Sequence, residues 1–242
     1  MTARGDAGRR SDAELRAIYV QSYVDQYDPH SVQRVKRLLR FFDLSPDDVV
    51  ADFGCGNGVL LELVAPRVRE YVGVDFSEEF VRAAERRRDA AGIRNGTFHC
   101  GEIVSFCEAH PNRFNAAFAL DFSEHIYDDQ FARIFRAIHG SLKPGAPLYL
   151  HTPNAEYFME RWKERGILKQ VDGHVGVRDA REHEALLREC GFADVRVRYL
   201  AHYLYVASLF HGLGFLPLVG PLFRARLFVT CRKAAAPGPA RR

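Results

Sequence analysis

The sequence predicts a doubly wound α/β fold, a mostly parallel seven-stranded sheet with an antiparallel last strand and N-terminal helices. Three observations carry that prediction. From Asp48 onward, short apolar runs alternate with stretches of helical period, which is how a parallel sheet with crossover helices reads. The first of these runs leads into a glycine-rich turn and then a helix. The last two return as a pair across a long apolar excursion, which finishes a sheet antiparallel.

Taken in order, Ser11, Asp12, Ala13 and Glu14 have capping-box spacing before an amphipathic run through Tyr23, so a first helix starts there. A second covers 31–42. Strands are predicted at 49–53, 71–75, 96–99, 116–120 and 147–152, with helices near 58–64, 78–91, 129–142 and 155–165 between and after them. A further helix near 179–190 precedes the closing strands at 194–200 and 227–232.

The 242 residues suit one domain with extensions. Residues 1–10 read as a disordered basic terminus, 11–233 as the domain (helices in 11–45, an apolar insertion at 204–224), and 234–242 as a disordered tail. Arg4, Arg9, Arg10, Arg241 and Arg242 account for the net charge of +3 and leave the folded part near neutral, so nucleic acid is not an expected partner. The five cysteines show no metal-type pairing and read as reduced thiols of a cytoplasmic protein. No apolar stretch follows the polar first ten residues, so no secretory signal is expected.

The strand at 49–53 runs into Gly54-Cys55-Gly56-Asn57-Gly58. Glycines let the backbone turn tightly and admit a ligand against it, since a Cβ would fill the space the ligand needs. The bland reading is a tight strand-to-helix connection. Asp75 ends the next strand, where a carboxylate can accept both ribose hydroxyls of an adenosine cofactor. A dinucleotide fingerprint would need glycine at position 59, which is Val59, and Asp52 would repel a pyrophosphate. A cationic ligand suits that acid better.

An acid before a G-x-G-x-G turn and a second acid closing the next strand resemble the class I S-adenosylmethionine-dependent methyltransferases. The resemblance implies a Rossmann-like domain in which Asp52, Gly54, Gly56 and Gly58 line the methionine portion and Asp75 holds the ribose. Glu102 matches the acid near the adenine amino group, although the family more often has Asp there; the other reading of Glu102 is a helix N-terminal acid. Cys55, Asn57, Phe76, Ile103 and Asp121 complete the implied cofactor-binding set.

After the fourth strand comes Asp121-Phe122-Ser123-Glu124-His125-Ile126-Tyr127-Asp128-Asp129, at the sheet edge where such folds place ligands. His125 is read either as a general base toward an acceptor hydroxyl or as a histidine that fixes the loop. Asp121, Glu124, His125 and Asp128 are also types that gather a divalent ion such as Mg²⁺. Capping of the next helix is the plainer role, and no metal is assigned. The Glu124-His125 pair resembles that of ubiquinone-biosynthesis O-methyltransferases and their relatives, which makes these two the catalytic candidates. His151-Thr152-Pro153-Asn154 and Gly173-His174-Val175 extend that resemblance, with His151 and His174 as acceptor-pocket candidates.

Between Leu204 and Phe223 there is no charged residue, and Gly212, Gly214, Pro217, Gly220 and Pro221 interrupt any regular helix, so the stretch is not read as transmembrane. It covers a pocket, meets a partner, rests on lipid through 204–226, or packs on its own domain. The expected function is methyl transfer from S-adenosylmethionine to a small, apolar acceptor, by O-methylation of a phenolic, quinol-like or secondary-metabolite hydroxyl. The alternatives are C- or N-methylation of a lipid-like or secondary metabolite, and a non-catalytic cofactor-binding protein.

Overall fold

The computed structural model describes residues 9–11, 14, 17–18, 31–202, 212–214, 216–217 and 219–235. Most of the predicted first helix, with Tyr23 and Tyr27, and much of the apolar excursion therefore lie outside the described residues. At the start of that helix the capping box is present: the Ser11 amide donates to Glu14 Oε2 at 2.7 Å and the Glu14 amide to Ser11 Oγ at 3.3 Å. Arg9 reaches Asp129 at 2.8 Å.

Seven strands form one sheet in the order β3-β2-β1-β4-β5-β7-β6, namely β1 Val49–Phe53, β2 Glu70–Asp75, β3 Gly96–Cys100, β4 Ala116–Leu120, β5 Pro147–Pro153, β6 Phe192–Leu200 and β7 Arg226–Lys233. The first five are parallel, and β7 runs antiparallel between β5 and β6. Every residue of β1 and of β5 is buried, as expected of strands covered on both faces.

Successive side chains go to opposite faces. Val49, Ala51, Phe53, Leu148, Leu150, Leu227 and Val229 join one core layer. Helices α4 Ile103–Ala109, α5 Asp128–Ser141 and α7 Ala180–Glu189 supply Phe106, Phe131, Phe135, Ile138 and Leu187 to it. Val50, Tyr71, Phe118, Tyr149 and Phe228 face the other layer, with Val35 of α1 Ser31–Lys36 and Leu61 and Val64 of α2 Leu61–Val64. Helix α3 Glu78–Ala90 follows β2 under a Ser77 cap, and α6 Phe158–Glu164 follows β5.

Several elements depart from the sequence reading. The helix expected over 31–42 ends at Lys36, and a 3-10 turn over Leu39–Phe41 follows. There Phe41 meets Phe228 at 4.9 Å and Phe42 meets Phe118 at 4.8 Å, so packing on the sheet redirects the chain. The helix expected from Gly58 starts at Leu61 because the glycine turn continues through Gly58. Helix α4 was given no range from sequence beyond the reading of Glu102 as a helix N-terminal acid; at seven residues it is too short to show a period, yet it buries Ile103, Phe106 and Cys107.

Strand β1 connects to β2 on one side and lies beside β4 on the other. Its carboxyl end is thus the point where strand order reverses, the place where open α/β sheets leave a crevice.

Candidate active site

The turn after β1 is left-handed at three glycines, with φ of 71° at Gly54, 50° at Gly56 and 75° at Gly58. The Gly54 and Cys55 amides both donate to the Val74 carbonyl, at 2.9 and 3.2 Å, tying the turn to β2. A Cβ on Gly54 would lie 2.7 Å from the Phe122 ring, and one on Gly58 3.0 Å from the Ala84 Cβ. The structure adds a reason to the one read from sequence: at Gly54 and Gly58 the backbone is left-handed and protein packs where a Cβ would lie.

The crevice beside this turn is partly open to solvent and is lined by Arg34, Asp52, Gly54, Cys55, Asn57, Leu120 and Asp121, among others. Asp52 is buried and accepts from the Tyr71 hydroxyl. Burial pushes its pKa up to about 7, against the lowering effect of that hydrogen bond and with a further rise from Asp75. The Asn57 Oδ1 is buried without a hydrogen-bond partner, an open acceptor in the crevice wall. Burial raises the Cys55 thiol well above its ordinary value, so it is unreactive.

Asp75 is buried and accepts from the Gly56 amide at 3.0 Å and the Ser77 amide at 3.0 Å. It joins the glycine turn to the start of α3, and burial raises its carboxyl above the usual range. A carboxylate has about four acceptor positions, so two amides leave capacity for hydroxyls. Phe76 follows it, part exposed. Glu102 is exposed at the N-cap of α4, the helix-terminal position that was its second sequence reading, with Ile103 buried behind it. Gly56, Gly58, Asp75, Phe76, Glu102 and Ile103 stand around the turn without lining the crevice described above.

Asp121 sits at the end of β4 with φ of 53°. It pairs with Arg34 at 3.0 Å, with Arg226, and with His151 Nδ1 at 3.0 Å. Burial alone would raise its carboxyl; Arg34, then Arg226 and His151, outweigh that and hold it well below the usual carboxylate range. Asp128 pairs instead with Arg178 at 2.8 Å. The four-residue metal grouping considered from sequence is therefore corrected: Asp121 and Asp128 are each committed to arginines, in different places.

Glu124 is buried, and its Oε2 accepts from the Thr152 hydroxyl at 3.1 Å. Burial, then the neighbouring Asp121, pushes its pKa up to about 8, so it is mostly protonated at neutral pH. The His125 Nδ1 donates to the Gly173 carbonyl at 3.1 Å, which leaves the lone pair of the neutral ring on Nε2. Burial lowers the His125 pKa, favouring that neutral ring. The His174 ring lies 5.0 Å from it, edge to face. One ligand atom each from Glu124, His125 and His174 fall within 4.8 Å of one another, the grouping of described residues with the donor types for a divalent ion. His151 is buried under Asp121, so of the two histidines singled out for the acceptor pocket only His174 adjoins His125.

Sequence reasoning missed Arg34, Tyr71, Arg178 and Arg226. Each meets its partner across the fold, Arg226 and Asp121 being 105 positions apart, and periodicity carries no signal of such pairs.

Residues 50–145 match the family model described as methyltransferase domain. The ubiquinone biosynthesis O-methyltransferase of Neisseria meningitidis is 28% identical over 132 residues, covering 54% of this chain and 50% of that protein. The enzyme of the same name from Idiomarina loihiensis is 31% identical over 105 residues, covering 43% and 42%. The chain thus matches these curated relatives over about half their length or less. Phosphoethanolamine N-methyltransferase 2 of Haemonchus contortus, solved with phosphomonomethylethanolamine and S-adenosylhomocysteine, superposes with a TM-score of 0.68 at 18% identity, over 90% of this chain and 58% of that one. At that identity the likeness is one of fold.

Proposed function

We propose that the protein, whose residues 50–145 match a methyltransferase domain, is a class I S-adenosylmethionine-dependent methyltransferase that methylates a hydroxyl oxygen of a small acceptor of the phenolic, quinol-like or secondary-metabolite kind. One observation carries the reading. A left-handed glycine turn joins two buried acids, Asp52 and Asp75, beside a crevice that also presents Arg34 and the unpartnered Asn57 Oδ1. S-adenosylmethionine carries a sulfonium, an ammonium, a carboxylate and ribose hydroxyls, and this set of groups fits each of them.

When bound, the cofactor supplies an electrophilic methyl group whose bond to sulfur breaks, the electron pair staying on sulfur, as the acceptor oxygen bonds to carbon. Asp52 and Asn57 would face its cationic end, Arg34 its carboxylate, and Asp75 its ribose. The protein's task is then to align the acceptor and exclude water. His125 takes the hydroxyl proton on Nε2, with Nδ1 fixed by Gly173. Glu124, protonated and held by Thr152, sits behind His125 as a positioning residue.

The names of the curated relatives favour oxygen as the methylated atom. The N-methyltransferase among the folds keeps C- or N-methylation of a lipid-like or secondary metabolite as the second reading. A non-catalytic S-adenosylmethionine-binding protein is the third. Exposed Leu213, Leu216 and Val219 favour peripheral membrane contact through 204–226 by a cytoplasmic protein. No helix among the described residues is long and apolar enough to cross a membrane.

The test is incubation with methyl-labelled S-adenosylmethionine and a soluble-plus-lipid extract, followed by mass analysis of the labelled product. A labelled methyl ether supports the proposal. A labelled amine or carbon product sinks the oxygen assignment, and binding without turnover in any extract sinks the enzyme.

A further inference from the structure

Among the described residues the Asp52 side chain has a single hydrogen-bond partner, the Tyr71 hydroxyl, which donates to Oδ2. Asp75, the other acid of the site, is held instead by the Gly56 and Ser77 amides. The two acids are thus fixed by different means, one by backbone and one by a side chain.

The sheet sets up the contact with Tyr71. In the β1–β2 register Val50 lies opposite Tyr71 and Asp52 opposite Gly73, so Tyr71 and Asp52 share one face of the sheet, a single step apart along it. Gly73 leaves room at that step: a Cβ there would lie 2.5 Å from the Phe98 ring and 2.9 Å from Cys55 Sγ. The Phe98 ring meets the Tyr71 ring edge-on at 6.1 Å. Tyr71 is fully buried, while Asp52 lines the crevice. The other ionisable groups about Asp52 are Asp75, the Cys55 thiol, and Arg34 and Asp121, which pair with each other at 3.0 Å. Strand β4 sets the uncharged Phe118 beside it, and Val59 and Leu60 add apolar wall.

We infer that Tyr71 is a positioning residue of the cofactor site: its hydroxyl fixes the Asp52 carboxyl in the crevice wall, and the pair makes the site distinguish S-adenosylmethionine, which carries a sulfonium, from S-adenosylhomocysteine, whose sulfur is neutral. This rests on the methyltransferase reading and deepens it. The two ligands share adenine, ribose, ammonium and carboxylate, so contacts to those groups, that of Asp75 included, cancel between them. What differs is one methyl group and one positive charge. A donor to a carboxyl favours its ionised form. Burial pushes Asp52 up to about 7, and Tyr71 acts against that rise. Below that pH Asp52 is neutral and the preference for the sulfonium is small; above it Asp52 is ionised and the preference grows. Tyr71 itself stays a phenol, since burial raises it well above its ordinary value.

The experiment measures the affinity of the full chain for each ligand by calorimetry between pH 6 and pH 8.5. The ratio of the two affinities should rise about five-fold or more in favour of S-adenosylmethionine as pH increases through the range around 7. In Tyr71→Phe, which lacks the donor, the midpoint of that rise should move up by about one pH unit. In Asp52→Asn the rise should vanish apart from titration of the ligands' own ammonium groups, which this variant calibrates. A ratio in the wild type no steeper than in Asp52→Asn overturns the inference. So does an unmoved midpoint in Tyr71→Phe with both affinities lowered alike, the mark of a merely structural tyrosine. Should Tyr71→Phe not fold, replacing Tyr71 by 3,5-difluorotyrosine, a stronger donor, should move the midpoint down, and an unmoved midpoint there is equally fatal. Absence of binding of either ligand by the wild-type protein would instead sink the underlying methyltransferase reading.

Discussion

The guanidinium of Arg178 donates to the backbone carbonyl of Ser123 at 2.8 Å, from a position 55 residues further along the chain. The same group reaches the carbonyls of Gly176 at 2.7 Å and Ile126 at 2.8 Å, and it lies over the Phe131 ring at 4.8 Å. Together with the Val175 and Gly176 amides, which donate to the Glu124 carbonyl at 3.0 and 2.9 Å, it clamps the 123–126 loop to the 173–178 segment. That clamp is what brings His125 to Gly173 and His174.

Arg178→Met would leave three buried carbonyls unpaired. At about 1–3 kcal/mol each, a destabilisation of about 3 kcal/mol or more is expected in urea unfolding; the ion pair with the exposed Asp128 adds little. A loss below about 1 kcal/mol would remove Arg178 from the clamp.

Asp75→Asn retains the side-chain shape but sets an NH₂ group against the Gly56 or Ser77 amide and lowers acceptor capacity for the ribose. S-adenosylhomocysteine affinity should fall roughly 10- to 100-fold, in keeping with the loss of hydrogen bonds to a charged group. Near-normal affinity by calorimetry would count against the ribose assignment.

For His125→Ala the expected outcome is a fall in turnover of about 10²- to 10⁴-fold, the range for a lost general base. Cofactor affinity should be retained, because His125 does not line the crevice. Unchanged turnover would make it a loop-fixing histidine.

Gly54→Ala and Gly56→Ala both force a side chain into left-handed backbone, at about 1–2 kcal/mol. Only Gly54 also faces an obstacle at 2.7 Å, the Phe122 ring, whereas the nearest atom to a Cβ on Gly56 is 3.8 Å away. The first variant should therefore be the less stable by about 1 kcal/mol or more. Equal losses in thermal unfolding would show that packing against Phe122 is not what requires glycine.

Glu124 is protonated in the folded protein up to about pH 8, but in the unfolded chain only below the ordinary carboxylate range. The folded state thus binds the extra proton, so this contribution to stability is full at acid pH and is lost as pH rises toward 8. Glu124→Gln mimics the neutral form at every pH. Its Tm should decline less than that of the wild type between pH 5 and pH 8.5, and parallel declines would refute the raised pKa.

Much of the fold was legible in order along the chain. The buried central strands declare themselves as apolar runs, and β1 and β4 fall at the predicted residues because turn and polar residues bound them on both sides. The glycine turn with Asp52 and Asp75 was legible for a similar reason, since a left-handed backbone excludes most other residues. Helix α4 and the break after Lys36 were not, because seven residues hold too little period and because contacts with Phe118 and Phe228 come from distant strands.

The strands, the glycine turn and the acids that end β1 and β2 were set locally, since they follow from periodicity and backbone sterics within a few residues, whereas the strand order that makes β1 the reversal point was not. Only the tertiary structure decided which charges share a site. It placed Arg34 and Arg226 on Asp121, Arg178 on the 123–126 loop, and His174 beside His125. Burial then set their ionisation, raising Glu124 and lowering His125. Desolvation and Coulomb interaction act through space, and the spacing of residues along a chain does not contain them.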